Sequence, residues 1–234
     1  MRNDILIVPD VHGRDFWLPA IDYQGEVIFL GDYTDPYPAE NFTDEDAYQN
    51  LLKIVEFKQL NMDRVTLLIG NHELHYMNKD FQAGRFSSKY YPKFHKILTG
   101  EGCKELFQIC KVVDNYLFIH AGVTKGWYEL HRDEFQHLGA TLEEQLNNIF
   151  VEKMSIFHEA AWKYRGGWDN FGSPLWADAR ELADEKEPFD ASIIQIIGHT
   201  QVLSPEPYIH DRFWLLDNRQ LYLLHNGVIE RFVS

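Results

Sequence analysis

The sequence predicts an α/β protein built as a layered sandwich of sheets and helices, and three observations lead there. Short apolar runs of strand length recur along the 234 residues. Their β-branched and aromatic content suits strands buried on both faces. Helical patterns lie between the earlier runs while strands cluster late, an order that favours layered αβ packing over an all-β or all-α fold.

Residues 5–8 (Ile-Leu-Ile-Val) are the first run, 27–30 (Val-Ile-Phe-Leu) the second and 65–69 (Val-Thr-Leu-Leu-Ile) the third. Residues 116–119 and 193–197 come next, then 208–210, 213–216, 221–224 and 228–233. Asn226-Gly227 signals a hairpin between the last two, and Asp217-Asn218-Arg219 is a weaker turn signal. The spacing predicts a helix over 44–59, N-capped by Thr43, with Leu51, Leu52, Ile54, Val55 and Leu60 as its apolar positions. A helix over 141–162 is expected to be the longest. Leu142, Leu146, Ile149, Phe150, Met154 and Phe157 keep helical spacing there, and Thr141 with Glu144 makes a capping box. Residues 75–110 read as helix and loop. With no repeat or linker in sight, 1–234 reads as a single domain in which about 124–188 forms a cap or groove wall.

The composition, 45% apolar and 25% charged, excludes disorder, collagen and coiled coil. No apolar run approaches the roughly 20 residues of a membrane span. The opening MRNDILIVPD has too short an apolar core for a signal peptide. Cys103 and Cys110 match no zinc motif and read as buried thiols, so a cytoplasmic setting is expected. Twenty-two basic against 36 acidic residues give a net charge of -14, which repels nucleic acid and anionic membranes; neither is an expected partner. An anionic substrate then needs a local reversal of sign, which bound metal supplies.

The chemistry lies in the residues just after each run. Residues 5–8 lead into Pro9-Asp10-Val11-His12-Gly13, and 27–30 into Gly31-Asp32-Tyr33-Thr34-Asp35. Residues 65–69 lead into Gly70-Asn71-His72-Glu73, 116–119 into His120-Ala121-Gly122, and 193–197 into Gly198-His199-Thr200. Each block alone is an ordinary turn. Together, five strand ends supply Asp, Asn or His beside glycine, where αβ sheets bind ligands and where the backbone must turn sharply. Oxygen and nitrogen donors without thiolate suit Mn, Fe or Zn, and the set is too large for one tetrahedral ion; a two-metal centre accommodates it.

These blocks resemble the calcineurin-like metallophosphoesterase superfamily, and most closely the compact bacterial and phage members of its phosphoprotein phosphatase branch. The resemblance runs from Asp10 to His199. It implies a four-layer αββα sandwich of two mixed sheets flanked by helices. It further implies Asp10 and His12 on a first divalent ion, Asp32 shared, and Asn71, His120 and His199 on a second, with manganese the foremost candidate and iron or zinc possible. Hydrolysis would proceed by in-line attack of a hydroxide shared by the ions. His72 would be the general acid, oriented by Asp35. Asn71 would also touch the substrate phosphate. Phosphoserine and phosphothreonine proteins or small phosphomonoesters are the implied substrates. Two other readings remain open: symmetrical hydrolysis of dinucleoside polyphosphates by relatives that share Gly-His-Thr, and a metal-binding scaffold with little turnover.

The chain departs from the family pattern at Pro36-Tyr37, where Arg-Gly is expected, and at Ile69, where arginine often precedes Gly-Asn-His-Glu. Arg180, after Leu175-Trp176, is a candidate phosphate contact because its fork suits phosphate; its other reading is a surface residue paired with Glu181 or Asp184. His75, His95, His131, His137, His158, His210 and His225 read as surface or packing histidines. Phe81, Phe86, Tyr90, Tyr91, Trp127, Trp162, Trp168 and Phe171 read as core or cap packing.

Overall fold

The computed structural model describes residues 4–233. The elements, in chain order, are β1 (Ile5–Val8), β2 (Glu26–Phe29), α1 (Asp44–Leu60), β3 (Val65–Leu68), α2 (Asn71–Met77), α3 (Tyr91–Thr99), β4 (Phe107–Gln108), β5 (Cys110–Val113), β6 (Tyr116–Ile119), α4 (Lys125–Phe135), α5 (Leu142–Glu152), α6 (Trp162–Arg165), α7 (Ala179–Asp184), β7 (Ile194–Ile197), β8 (Tyr208–Ile209), β9 (Phe213–Leu215), β10 (Tyr222–His225) and β11 (Val228–Arg231). They form two compact units, Met1–Gln108 with Arg219–Ser234, and Ile109–Asn218. Among the described residues no helix is long and apolar enough to cross a membrane.

The first unit holds a six-stranded mixed sheet in the order β11-β10-β1-β2-β3-β4. β1 through β4 run parallel, whereas β10 lies antiparallel to β1 and β11 to β10. The expected hairpin closes at Asn226 and Gly227, both at positive φ (50° and 79°), as a primed turn requires. Leu6, Val8, Val27, Phe29, Val65 and Leu67 share one buried core with Leu51, Ile54 and Val55 of α1, and with Trp17 and Phe94. The buried Trp17 indole donates from Nε1 to Asn50 Oδ1 at 2.9 Å, so its polar atom is satisfied. Thr43 caps α1 as expected: its Oγ1 accepts from the Asp46 amide while the Asp46 carboxylate accepts from the Thr43 amide.

The second unit holds a five-stranded mixed sheet, β5-β6-β7-β9-β8. β6, β7 and β9 are parallel; β5 and β8 are antiparallel edges. The two mixed sheets, each with its own helices, are the α/β architecture expected.

Three local expectations need correction. The stretch 141–162 is not one helix, and the longest helix is α1. Thr141 and Glu144 do cap α5, but the helix stops at Glu152, and Met154–His158 is a 3-10 turn. Core packing overrides the period: Phe157 meets Trp127 and Phe150 at ring distances of 5.3 and 5.2 Å, and the Ile156 carbonyl accepts the Trp127 Nε1 proton. Within 75–110 and just beyond it lie two short strands where helix and loop are expected. β4 has only two residues, and β5 forms an antiparallel hairpin with β6. Cys110 is buried, but Cys103 is only half-buried.

One carboxyl in the second unit ties stability to pH. Glu185 Oε1 accepts from the Lys125 amide at 2.6 Å, at the start of α4. Burial nevertheless pushes its pKa up from 4.5 to about 7, with the amide bonds opposing. An acid held above its unfolded value binds its proton more tightly when folded, so stability falls as pH rises from about 4.5 to about 7. Glu185→Gln keeps an acceptor and removes the ionisation. It is expected to raise Tm by about 2–4 °C at pH 8 and to leave it unchanged at pH 4. Thermal unfolding of both proteins at the two pH values checks this, and equal shifts at both would contradict it.

Candidate metal centre

β1, β2 and β3 are parallel neighbours in register (Val8↔Phe29↔Leu67), so the three blocks after them emerge at one end of one sheet. The blocks are stitched together by backbone. The Val11 and His12 amides both donate to the Asp32 carbonyl, at 3.1 and 2.6 Å, and the His72 amide donates to Asp32 Oδ1 at 3.0 Å. This approach needs glycine twice. A Cβ on Gly31, at φ +108°, would lie 2.5 Å from the Gly70 nitrogen, and one on Gly70 would lie 2.2 Å from Asp32 Oδ1.

Glu73 is the staple beneath the loops. Its Oε1 accepts from the Tyr33 and Thr34 amides and the Thr34 hydroxyl, at 2.8, 3.2 and 3.1 Å. Its Oε2 accepts from the Asp32 and Gly70 amides at 2.8 and 2.9 Å. The carboxylate is fully buried. Burial raises its pKa, and these amide donors oppose the rise.

His12, Asp32, Asp35 and His199 all take left-handed backbone conformations, at φ 46°, 53°, 53° and 65°. Asp and His tolerate this region better than most residues, but each such placement still costs free energy. Strain gathered on residues that the motifs single out marks a functional site.

The structure brings His12, Asp32 and His72 together, with one donor atom from each lying within 4.8 Å of the others. His12 Nδ1 is 2.9 Å from the Thr34 carbonyl. A carbonyl only accepts, so Nδ1 carries the proton and Nε2 carries the lone pair. That nitrogen faces Asp32 Oδ2 at 3.4 Å. Burial, followed by the charges of His72 and Arg85, holds the His12 pKa well below its ordinary value, so the ring is neutral. A lone pair and a carboxylate oxygen at this separation repel each other, and a cation shared by them removes the repulsion. Asp10 and Asn71 sit at the same strand ends, both buried. The donors fit a divalent transition metal.

Beside this group, Asp35 binds His72. His72 Nδ1 donates to Asp35 Oδ2 at 2.7 Å, and Tyr76 donates its hydroxyl to Oδ1 at 2.5 Å. His75 Nε2 also lies 2.6 Å from Oδ2, close but poorly aligned for a hydrogen bond. Burial raises the Asp35 pKa, but the hydrogen bond from His72 and the close His75 ring outweigh it and hold the carboxyl below its ordinary value. His72 is shifted down by burial, with Asp35 opposing. Tyr76 is pushed up by burial and by Asp35.

His75 is more than a packing histidine. It is fully buried against Asp35, and its spacing of three from His72 on α2, which puts both rings on one helix face, is the signal the sequence holds for this. Arg85 has no local signal. Its Nη1 donates to the Asp35 carbonyl at 2.6 Å, its Nη2 lies 2.8 Å from His72 Nε2, and its guanidinium stacks on Tyr37 at 3.8 Å.

In the second unit, β6 and β7 pair in parallel (Phe118↔Ile196) and end at His120 and His199. His120 Nε2 and His199 Nδ1 are 3.2 Å apart. Arg180 lies mostly in solvent, its guanidinium bonded at Nε and Nη2 to the two Asp178 oxygens at 2.8 and 3.0 Å; the partner is neither Glu181 nor Asp184. Arg165 is less exposed. It reaches Asp178 Oδ2 at 3.0 Å and donates from Nη2 to the Thr200 hydroxyl at 2.6 Å, next to His199.

Among curated proteins the sequence finds no match. Among solved structures it is similar to a cold-active protein-tyrosine phosphatase of a psychrophilic Shewanella species, with TM-score 0.63, 16% identity, and coverage of 99% of this chain and 78% of that one. It is also similar to a protein serine/threonine phosphatase from Saccharomyces cerevisiae, itself described as similar to human PP5, with TM-score 0.55, 16% identity, and coverage of 99% and 80%. At such identities the likeness is one of fold. The calcineurin-like phosphoesterase family matches residues 4–203, nearly the whole chain and every block from Asp10 to His199. The chain therefore belongs to the calcineurin-like phosphoesterases, metal-dependent hydrolases of phosphoric esters.

Proposed function

We propose that the chain is a dinuclear metal-dependent phosphatase acting on phosphomonoesters, with phosphoserine and phosphothreonine proteins as its main substrate class. The observation that carries this reading is the neutral His12 nitrogen aimed at the Asp32 carboxylate, an arrangement that calls for a cation at the shared end of three strands. Asp10, His12 and Asp32 are assigned to one ion and Asn71, His120 and His199 to a second, with Asp32 common to both and manganese the first candidate. When bound, the two ions neutralise phosphoryl charge and lower the pKa of water to near neutrality.

The remaining work falls to the protein. His72 is the general acid for the departing oxygen, delivering a proton from Nε2. Asp35 holds the opposite nitrogen, so Nε2 is the one turned toward substrate. Tyr76, with His75 alongside, keeps the Asp35 carboxylate charged and in place. An arriving phosphate dianion supplies negative charge beside the ring, which favours the imidazolium against the pull of burial. Asn71, at the first position of α2, is assigned a second duty on the phosphate.

The substrate class is tested by comparing kcat/KM of the manganese-loaded protein on phosphoserine, phosphothreonine and phosphotyrosine peptides and on a dinucleoside tetraphosphate. We expect a phosphoserine or phosphothreonine peptide to exceed the dinucleotide by at least about tenfold, a difference of some 1.4 kcal/mol in the barrier. The reverse order would replace this reading with nucleotide hydrolysis.

A further inference from the structure

We propose that Arg85, carried in by the loop between α2 and α3, binds the phosphoryl oxygens of the substrate; this rests on the phosphatase reading above.

Charge sets Arg85 apart. The chain has 36 acidic residues against 22 basic ones, yet Arg85 makes no ion pair among the described residues. Its polar partners are a carbonyl oxygen and an imidazole nitrogen, both neutral acceptors. Its neighbours are treated differently. Arg14 is paired with Glu40 at 2.6 Å, and Arg219 reaches the same carboxylate at 2.7 Å. Arg85 is thus a cation held at the site with no carboxylate in direct ion-pair contact among the described residues; Glu40, which its charge also reaches, is bonded to Arg14 and Arg219 instead.

The holding is specific. The guanidinium carbon lies over the Tyr37 ring, 3.8 Å from its centroid, and Tyr37 stands edge-on to His12 at 4.9 Å. Arg85 itself sits at φ +69°, a conformation arginine adopts only when its surroundings impose it. Asp35 fixes one edge of the fork through its carbonyl, and the other edge lies against His72 Nε2. Position 36, in the block that places Asp35, is proline, and Tyr37 after it provides the stacking surface.

A planar guanidinium matches the oxygens of a tetrahedral anion, and an anionic oxygen is a far better acceptor for it than a neutral imidazole nitrogen. On substrate binding, the Nη2 donor therefore turns from His72 Nε2 to a phosphoryl oxygen. The same small movement leaves Nε2 open toward the leaving group.

The test uses manganese-loaded wild type, Arg85→Ala and Arg85→Lys. It reads kcat/KM on an aryl phosphate, the inhibition constant of inorganic phosphate, Tm, and the response to millimolar guanidinium. Loss of one charge-assisted contact is worth about 10- to 100-fold. Arg85→Ala is expected to lose that much in kcat/KM and to bind inorganic phosphate at least about tenfold more weakly. Arg85→Lys should recover part of the loss, because it keeps the charge but not the fork. Guanidinium should rescue Arg85→Ala and have no such effect on wild type. If Arg85 is only a strut for Asp35 and Tyr37, Arg85→Ala loses Tm and rate while phosphate inhibition stays unchanged and guanidinium does nothing. That result overturns the proposal and leaves the phosphatase reading standing. A wild type inert on every phosphoester overturns both.

Discussion

Replacing His72 by asparagine is expected to lower kcat on an alkyl phosphomonoester by about 100- to 10,000-fold, the usual worth of a positioned proton donor. On a dinitrophenyl phosphate the loss should be within about tenfold. An alkoxide must receive a proton as it departs, whereas a dinitrophenolate leaves without one, so the penalty grows with leaving-group basicity. The side chain is suited to this role: its Nδ1 is committed to Asp35 at 2.7 Å, and Asp35 is braced by Tyr76 at 2.5 Å. Bound metal should be retained, because His72 contributes its backbone amide, not its ring, to Asp32. Steady-state kinetics across a series of phosphate esters, with metal content measured on the same samples, checks the prediction. An equal loss on every ester would assign His72 to binding instead of proton transfer.

The second large effect belongs to a residue with no chemical step. Glu73→Gln is expected to cost about 3–5 kcal/mol of stability. The carboxylate receives five donors on its two oxygens, and the amide can accept on one only. Its NH2 group would face either the Asp32 and Gly70 amides or the Tyr33 and Thr34 amides and the Thr34 hydroxyl, leaving at least two buried donors unmet at roughly 1–3 kcal/mol each. Because those donors belong to the loops that carry Asp32 and Asn71, metal affinity should fall with stability. Denaturant unfolding of wild type and variant, with metal titration of each, measures both. A variant as stable as wild type would show that the loops hold their shape without the staple.

Much of the site is legible in the sequence because its chemistry is local. A four-residue apolar run leading into Gly-Asp or Gly-Asn-His-Glu announces both a strand and the polar side chain that the fold presents at its end. Asp32, Asn71 and His72 can be named that way, and so can the hairpin at Asn226-Gly227. The residues that escape such reading are fixed by tertiary contact. His75 looks like any helix histidine until Asp35, 40 positions earlier, is folded against it. Arg85 lies in an irregular stretch and meets Tyr37 only through tertiary contact, and nothing in its sequence neighbours predicts contact with His72. The overlong helix at 141–162 fails for a similar reason. Its apolar period continues past Glu152, but Ile156 and Phe157 are adjacent and both buried, which the 3-10 turn allows. β4 is too short to show any period at all.

Phosphoester hydrolysis by this chain would depend on metal held by these strand ends. The most direct measurement is hydrolysis of an aryl phosphate by metal-stripped protein before and after addition of Mn(II), alongside Asn71→Ala. Expected are no turnover when stripped, recovery on adding the ion, and at least about a hundredfold lower kcat in the variant, since loss of the proposed Asn71 ligand would unmake one of the two ion sites. Metal that binds without producing turnover on this ester, on phosphopeptides or on dinucleoside polyphosphates would contradict the phosphoesterase reading, and would leave a metal-binding scaffold in place of an enzyme.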